Sequence, residues 1–197
     1  IASEARQSRF FLNSKPYPGG CMQKTPKEEL DRRIKALQAH LAETKVDGAL
    51  IVQNADLYYF TGTVPQGWLF VPPDGHPILF IRKNPNRVRS ETTLEHLFNA
   101  RNTRELAGVL ADKGYRKFKR LGMELDILPV NQHARYVEAL NPGEFVDVSP
   151  AIQAIRSVKS PFEIAIVRQA AKLGDHMMRA ARESIKEGMT ELELSAR

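Results

Sequence analysis

Short apolar runs separated by capped helical segments constrain this chain most. Leu30, Ile34, Leu37 and Leu41 recur at three- and four-residue spacing and so share one helix face. Thr25-Pro26-Lys27-Glu28 reads as the capping box of that helix, with Pro26 preset for the first turn. The helix ends near Lys45. Asp47-Gly48 then turns the chain into Ala49-Leu50-Ile51-Val52-Gln53, a continuous apolar run suited to a strand buried on both faces. Asn54 is placed to cap a short helix over ADLYYF, which Thr61-Gly62 breaks. Two β-rich runs, WLFVP and PILFIR, flank Pro73-Asp74-Gly75-His76 and predict an antiparallel hairpin.

The same alternation continues downstream. A helix is expected from Asn84 to His96, with Pro85 in its first turn, and another from Thr103 to Asp112, closed by Gly114. LGMEL reads as a strand, Pro129 to Leu140 as a helix and EFVDVS as a last strand. Together these predict an α/β domain over residues 25–150, a mixed, partly antiparallel sheet flanked by helices in three layers. Residues 1–24, which include the breaker cluster SKPYPGG, read as an N-terminal arm.

After Ser149-Pro150 the character changes. AIQAIRSVK is short and helical, and Ser160-Pro161-Phe162-Glu163 caps a long helix running to about Glu187 and ended by Gly188. Its apolar residues spread beyond one narrow stripe, so that helix wants burial around much of its circumference. Thr190-Glu191-Leu192-Glu193 opens one more capped helix. Residues 151–197 therefore read as a linker and the first helices of a second, truncated domain. An opening at Ile1 and a stop at Arg197 within a helical pattern predict an excised piece of a longer protein.

Composition excludes several classes. The 197 residues are 42% hydrophobic, too apolar for intrinsic disorder. Cys21 is the single cysteine, so no internal disulfide framework or Cys-based zinc knuckle is available. No apolar run approaches the ~18 residues of a membrane span. IASEARQSRF lacks the apolar centre of a signal peptide, which predicts a soluble, cytoplasmic protein without membrane contact. The net charge of +6 is densest at Lys113, Arg116, Lys117, Lys119 and Arg120, interleaved with Tyr115 and Phe118. That stretch reads as a solvated turn leading into a strand, with Phe118 half buried, and no nucleic-acid partner is expected.

Catalytic constellations are scarce. His40, His76, His96, His133 and His176 form no helical metal-ligand pair. No nucleophile elbow and no Gly-rich phosphate loop occurs. Glu124 and Asp126 stand two apart after a strand, where an acid/base or metal role competes with the simpler reading of a solvated strand end. Neither a catalytic residue nor a metal ligand is assigned. One segment stands apart: Tyr58 to Trp68 sets four aromatics around a loop of Thr, Gly and Pro at the end of a strand–helix unit. Such loops are where sites form in α/β sheets, although Phe60 and Trp68 equally suit plain core packing.

Longer stretches of the chain resemble a known family. Arg156-Ser157-Val158-Lys159-Ser160-Pro161-Phe162-Glu163-Ile164, running on to Ala170-Ala171, is similar to the domain junction of the creatinase, prolidase and aminopeptidase P family. Ile185-Lys186-Glu187-Gly188-Met189-Thr190-Glu191-Leu192-Glu193-Leu194 resembles the opening of that family's catalytic domain. Asp47-Gly48-Ala49-Leu50-Ile51-Val52, then Tyr59-Phe60-Thr61-Gly62, and Met123-Glu124 with its spacing to Pro129, match in the same order.

The resemblance implies a creatinase-type N-terminal α/β domain followed by the start of a "pita-bread" catalytic domain. It implies a parent that hydrolyses Xaa-Pro bonds with two divalent metal ions (Mn, Co or Zn). Their ligands, two Asp, one His and two Glu, would lie past Arg197, so this chain alone is expected to be inactive. The implied substrate is a peptide with Pro at the second position. The implied assembly is a homodimer or higher homo-oligomer; separately, the wide apolar surface of the long helix predicts self-association through residues 161–187. An Xaa-Pro aminopeptidase is the first reading, a prolidase acting on dipeptides the second, and a non-catalytic binding or dimerisation module the third. Within the first, Tyr59, Phe60, Thr61, Gln66 and Trp68 are expected to form a substrate gate, with Gln66 and Trp68 its most exposed members.

Overall fold

A computed structural model describes residues 24–196, and helices and strands alternate along them. The order is α1 (Lys27–Glu43), β1 (Gly48–Ile51), α2 (Asn54–Thr61), β2 (Gly67–Val71), β3 (Ile78–Ile81), α3 (Pro85–Glu91) and β4 (Leu97–Asn99). It continues with α4 (Thr103–Asp112), β5 (Arg120–Met123), α5 (Val130–Leu140), β6 (Glu144–Asp147), α6 (Ser149–Ser157), α7 (Pro161–Ser184) and α8 (Glu191–Ser195). Cys21 and the expected arm, apart from Lys24, lie outside the described residues.

The six strands form one sheet in the order β4-β3-β2-β1-β5-β6. β2 runs antiparallel to both of its neighbours, β1 and β3, and every other pairing is parallel. Five strands therefore point the same way, and their carboxyl ends share one edge of the sheet. Successive residues go to opposite faces, as the pleat requires. Ala49, Ile51, Leu69, Val71 and Leu79 join Ile34, Leu37, Leu41, Phe60 and Ile152 from α1, α2 and α6 on one side. Leu50, Trp68, Phe70 and Phe80 join Leu106, Leu110, Tyr136 and Leu140 from α4 and α5 on the other. That makes the three-layer mixed α/β architecture expected from the alternation. At Gly67 the hairpin closes so tightly that a Cβ would overlap the Phe80 carbonyl.

Several local expectations change. Thr25 does not cap α1: the N-cap is Pro26, with no side-chain cap. Thr25 is instead buried, its hydroxyl packed against Gly62, where a Cβ would come within 3.2 Å and where φ is +72°. Asn54 is the first helical residue of α2, and Gln53 takes the cap position. The helix expected over 84–96 stops at Glu91, because the Thr92 hydroxyl donates to the Thr61 carbonyl at 2.5 Å. The chain then pairs as β4, Leu79 against Leu97, a strand of three residues too short to show a period. Asn102, not Thr103, caps α4, accepting from the Glu105 N–H. Phe118 is fully buried rather than half buried, and it and Tyr115 pack their rings against Phe70. The basic stretch thus turns its aromatics inward and presents no stacking platform.

The chain divides into two units, the change falling between Ile155 and Arg156, within α6. In the second unit Ser160 caps α7 with a full capping box and Pro161 stands in its first turn. α7 ends at Ser184, short of Glu187, as Ile185 turns extended. Thr190 and Glu193 form the capping box of α8. No residue of α7 or α8 is buried, and Met177 and Met178 are 73% and 72% exposed.

Candidate functional site

The carboxyl edge of the sheet gathers the polar chemistry of the first unit. In open α/β sheets this is where ligands bind, since the loops leaving parallel strands diverge there and open a crevice. Glu124 follows β5 and is 1% exposed. Its Oε2 accepts the Val52 N–H at 2.6 Å and the Gln53 N–H at 2.9 Å, the two amides where β1 passes into α2. Parallel pairing of Leu50 with Met123 sets this register. Oε1 is buried and receives no hydrogen bond from a nitrogen or hydroxyl donor. The neighbouring carboxyl is Asp56, in the first turn of α2 and itself buried. Burial raises Glu124 first, the hydrogen bond with Asp56 adds to it, and the two amides oppose; together they push it up to about 8. A proton held toward Asp56 satisfies the otherwise orphaned Oε1.

This corrects the simpler reading of Glu124 as a solvated strand end. Its carboxyl partner is Asp56, not Asp126. Asp126 instead accepts from the Ser149 hydroxyl at 2.7 Å and the Gln153 amide at 3.1 Å, fastening the start of α6. Beside it, burial would raise Asp147, but the Ser149 hydroxyl and N–H and the Leu125 N–H overcome this and hold it below the usual carboxylate range. The pairing of Glu124 with Asp56 had one signal in the sequence: an acid placed directly after a run as apolar as Leu121 to Met123.

Next along the edge, Trp68 of β2 donates its indole N–H to the Tyr136 hydroxyl of α5 at 2.6 Å. Burial raises the Tyr136 phenol above its ordinary value; the Trp68 bond and the Arg82 charge oppose this, and Glu124 adds to it. The Arg82 guanidinium lies 5.6 Å from the centre of the Trp68 ring.

The expected gate residues divide sharply. Tyr59, Phe60, Thr61 and Trp68 are 7%, 0%, 0% and 6% exposed, so Trp68 is a core residue and not an exposed gate member. Its indole fills the layer between sheet and α5 because β2 faces that helix through Trp68 and Phe70. Tyr59 packs edge-on against Phe60 and lies under the Arg33 guanidinium at 4.2 Å. The Thr61 hydroxyl donates to the Leu57 carbonyl at 2.6 Å. Gln66 alone of the five is exposed, on a loop anchored to α3. There the Thr63 hydroxyl donates to Glu91 at 2.6 Å, and Arg87 donates to the Val64 carbonyl at 2.9 Å. The loop is a braced wall with Gln66 and Val64 on its outside.

Among the described residues no group of three or more His, Cys, Asp or Glu could hold a metal ion. Among the described residues no helix is long and apolar enough to cross a membrane.

Comparison with known proteins bears on this arrangement. The chain is 26% identical to the Xaa-Pro dipeptidase of Pyrococcus furiosus over 172 residues, 87% of this chain and 47% of that protein. It superposes on the prolidase of Pyrococcus horikoshii OT3 with a TM-score of 0.72 and 25% identity, covering 84% of this chain and 46% of that one. It also superposes on the creatinase/prolidase N-terminal domain of an X-Pro dipeptidase from Streptococcus pyogenes, with a TM-score of 0.55 and 19% identity. That match covers 62% of this chain and 98% of the other, and it bears on the fold alone. The chain spans about half the length of the curated relatives it matches. Residues 33–158 match the creatinase/prolidase N-terminal domain, and the chain belongs to that family.

Proposed function

We propose that this chain is the N-terminal, non-catalytic part of an Xaa-Pro peptidase, serving to assemble the enzyme and to shape access to its active site. The single observation that supports this is the match of residues 33–158 to the family domain, within similarity that runs through most of the chain but half of its relatives. A prolyl nitrogen carries no N–H, so Xaa-Pro bonds call for a dedicated pocket. The two divalent metals of such an enzyme would activate water and polarise the carbonyl from a separate catalytic domain. Among the described residues, this chain contributes shape: the braced loop 62–66, with Gln66 outward, is the gate element. Association of two copies through α7 would cover the apolar side chains it exposes.

Between the two substrate readings, the dipeptidase is favoured over the aminopeptidase, because those relatives at 25% identity or more whose names give a substrate are an Xaa-Pro dipeptidase and prolidases, the others being named only as peptidases. The test is to express the complete reading frame containing this chain and assay Xaa-Pro dipeptides against Xaa-Pro-Yaa tripeptides, with Mn or Co and after chelation. Metal-dependent cleavage with dipeptides preferred is expected, and Gln66→Ala should change the ratio of kcat/KM between the two lengths. No Xaa-Pro cleavage would end the reading, and an unchanged ratio would remove the gate.

A further inference from the structure

Two strand ends and a helix at the same edge of the sheet deliver arginines to one hollow. Arg82 follows β3 directly, Arg101 stands two residues past β4, and Arg135 sits in the second turn of α5. They line a cavity of about 260 Å³ beside Trp68 and Tyr136, at the start of α4. We propose that this cavity binds the oxyanion group, carboxylate or phosphate, of a small ligand.

Other arginines of the first unit have an acidic partner: Arg120 pairs with Glu144 at 3.1 Å, Arg87 with Glu91 at 3.2 Å and Arg104 with Glu138 at 3.5 Å. Arg82, Arg101 and Arg135 form no ion pair among the described residues, although they share one hollow and repel one another. Arg82 spends its Nε–H on the Arg101 carbonyl at 3.2 Å, which orients it toward Trp68. The nearby carboxylate of Glu105 is already engaged by the Arg101 N–H at 2.8 Å and the Asn102 amide at 3.3 Å. A hollow lined by three guanidiniums and by no carboxylate favours an anion from outside.

The shape of the donors narrows the class. Guanidinium forks match the two oxygens of a carboxylate or phosphate, a planar bidentate geometry that the point charge of a lysine does not select. Trp68 and Tyr136 give the hollow one aromatic wall, 6% and 5% exposed and bonded to each other. Tyr136 accepts in that bond, and its own O–H finds no acceptor among the described residues. The volume falls just under the usual range of about 300–1,000 Å³ for drug-sized pockets, which limits the ligand to a small one.

Trp68 is the chain's single tryptophan, so its emission reports on this wall alone. The experiment titrates the 197-residue chain with pyrophosphate and, separately, with citrate, at constant ionic strength. A saturable change in Trp68 emission is expected, with Arg101→Ala and Arg135→Ala each weakening it about tenfold, the loss of one charge-assisted hydrogen bond. Tighter pyrophosphate identifies a phosphate-bearing ligand and tighter citrate a carboxylate. Arg116→Ala, on the solvated turn, should bind as the parent does. Both tested arginines are exposed, and an unchanged thermal midpoint confirms that each variant folds. No saturation below roughly 10 mM, unchanged affinity in both arginine variants, or equal loss in Arg116→Ala would overturn the proposal. Xaa-Pro cleavage does not enter this experiment, so its failure and the failure of the peptidase reading are separable.

Discussion

Two buried acids in this molecule are neutralised by opposite means. Glu29, in α1, is buried with Arg33, its Oε1 2.8 Å from Arg33 Nε, and Arg32 adds a second guanidinium at 2.8 Å. Arg33 also donates to the Tyr59 carbonyl at 2.6 Å and stacks on the Tyr59 ring. Glu124, at the sheet edge, faces another carboxyl and two backbone amides, and a retained proton removes its charge. The first solution is insensitive to pH across the neutral range, because an arginine never loses its proton there. The second is a titration. Two regions of one domain thus share burial and differ in what a change of pH can reach.

The largest expected effect breaks the first region. Arg33→Ala removes one partner of a buried pair and should cost about 3 kcal/mol, the low end for such removals because Arg32 still holds Glu29. Thermal or urea unfolding measures this, and the loss should be equal at pH 5.5 and pH 7.5. A loss confined to one pH would collapse the contrast between the regions.

Glu124→Ala comes next, at about 2 kcal/mol, because the Val52 and Gln53 amides lose their acceptor inside the fold. Glu124→Gln keeps an acceptor for the amides and a donor toward Asp56, mimicking the protonated acid, and should cost less than the alanine variant. It sharpens the comparison through pH. The unfolded chain releases the Glu124 proton near the ordinary 4.5, while the folded chain keeps it to about 8. Between those values the folded state holds the extra proton, so this group's stabilisation is full below 4.5 and is lost as pH rises toward 8. Wild-type stability measured from pH 5 to 8 should therefore decline with a slope that Glu124→Gln lacks. Parallel curves for the two proteins would refute the shared proton.

Smaller still is Tyr136→Phe, which strands the buried Trp68 N–H and should cost about 1–2 kcal/mol, with a shift in Trp68 emission as its signature. Smallest is Lys27→Ala. Its ion pair with Glu95 spans 3.1 Å between side chains that are 52% and 72% exposed, so no measurable change in the unfolding midpoint is expected.

Much of the scaffold was legible in the residues, and the site was not. Leu30, Ile34, Leu37 and Leu41 mark the buried face of α1 because a helix repeats every 3.6 residues whatever its surroundings. The capping boxes at Ser160 and Thr190 stand where the residues place them, since each is closed within four residues. β4 has no signature in the sequence, because three edge residues carry no period and only pairing with β3 makes them a strand. Thr25 looked like a cap because Thr-x-x-Glu is a local pattern, yet packing against Gly62 claimed its side chain.

The sequence by itself determined the alternation of elements, the three-layer class and the family. All of these depend on spacings within a few residues or on resemblance along the whole chain. Only the tertiary structure decided which polar groups meet. Glu124 reaches the Val52 amide across 72 positions of chain because β5 lies parallel to β1. Arg82, Arg101 and Arg135 share a hollow because β3 and β4 end at the edge where α5 begins. Trp68 faces inward because the pleat alternates and α5 covers its side of the sheet. Local spacing selects elements, whereas burial and partnership are set by strand order, which no short stretch of residues records.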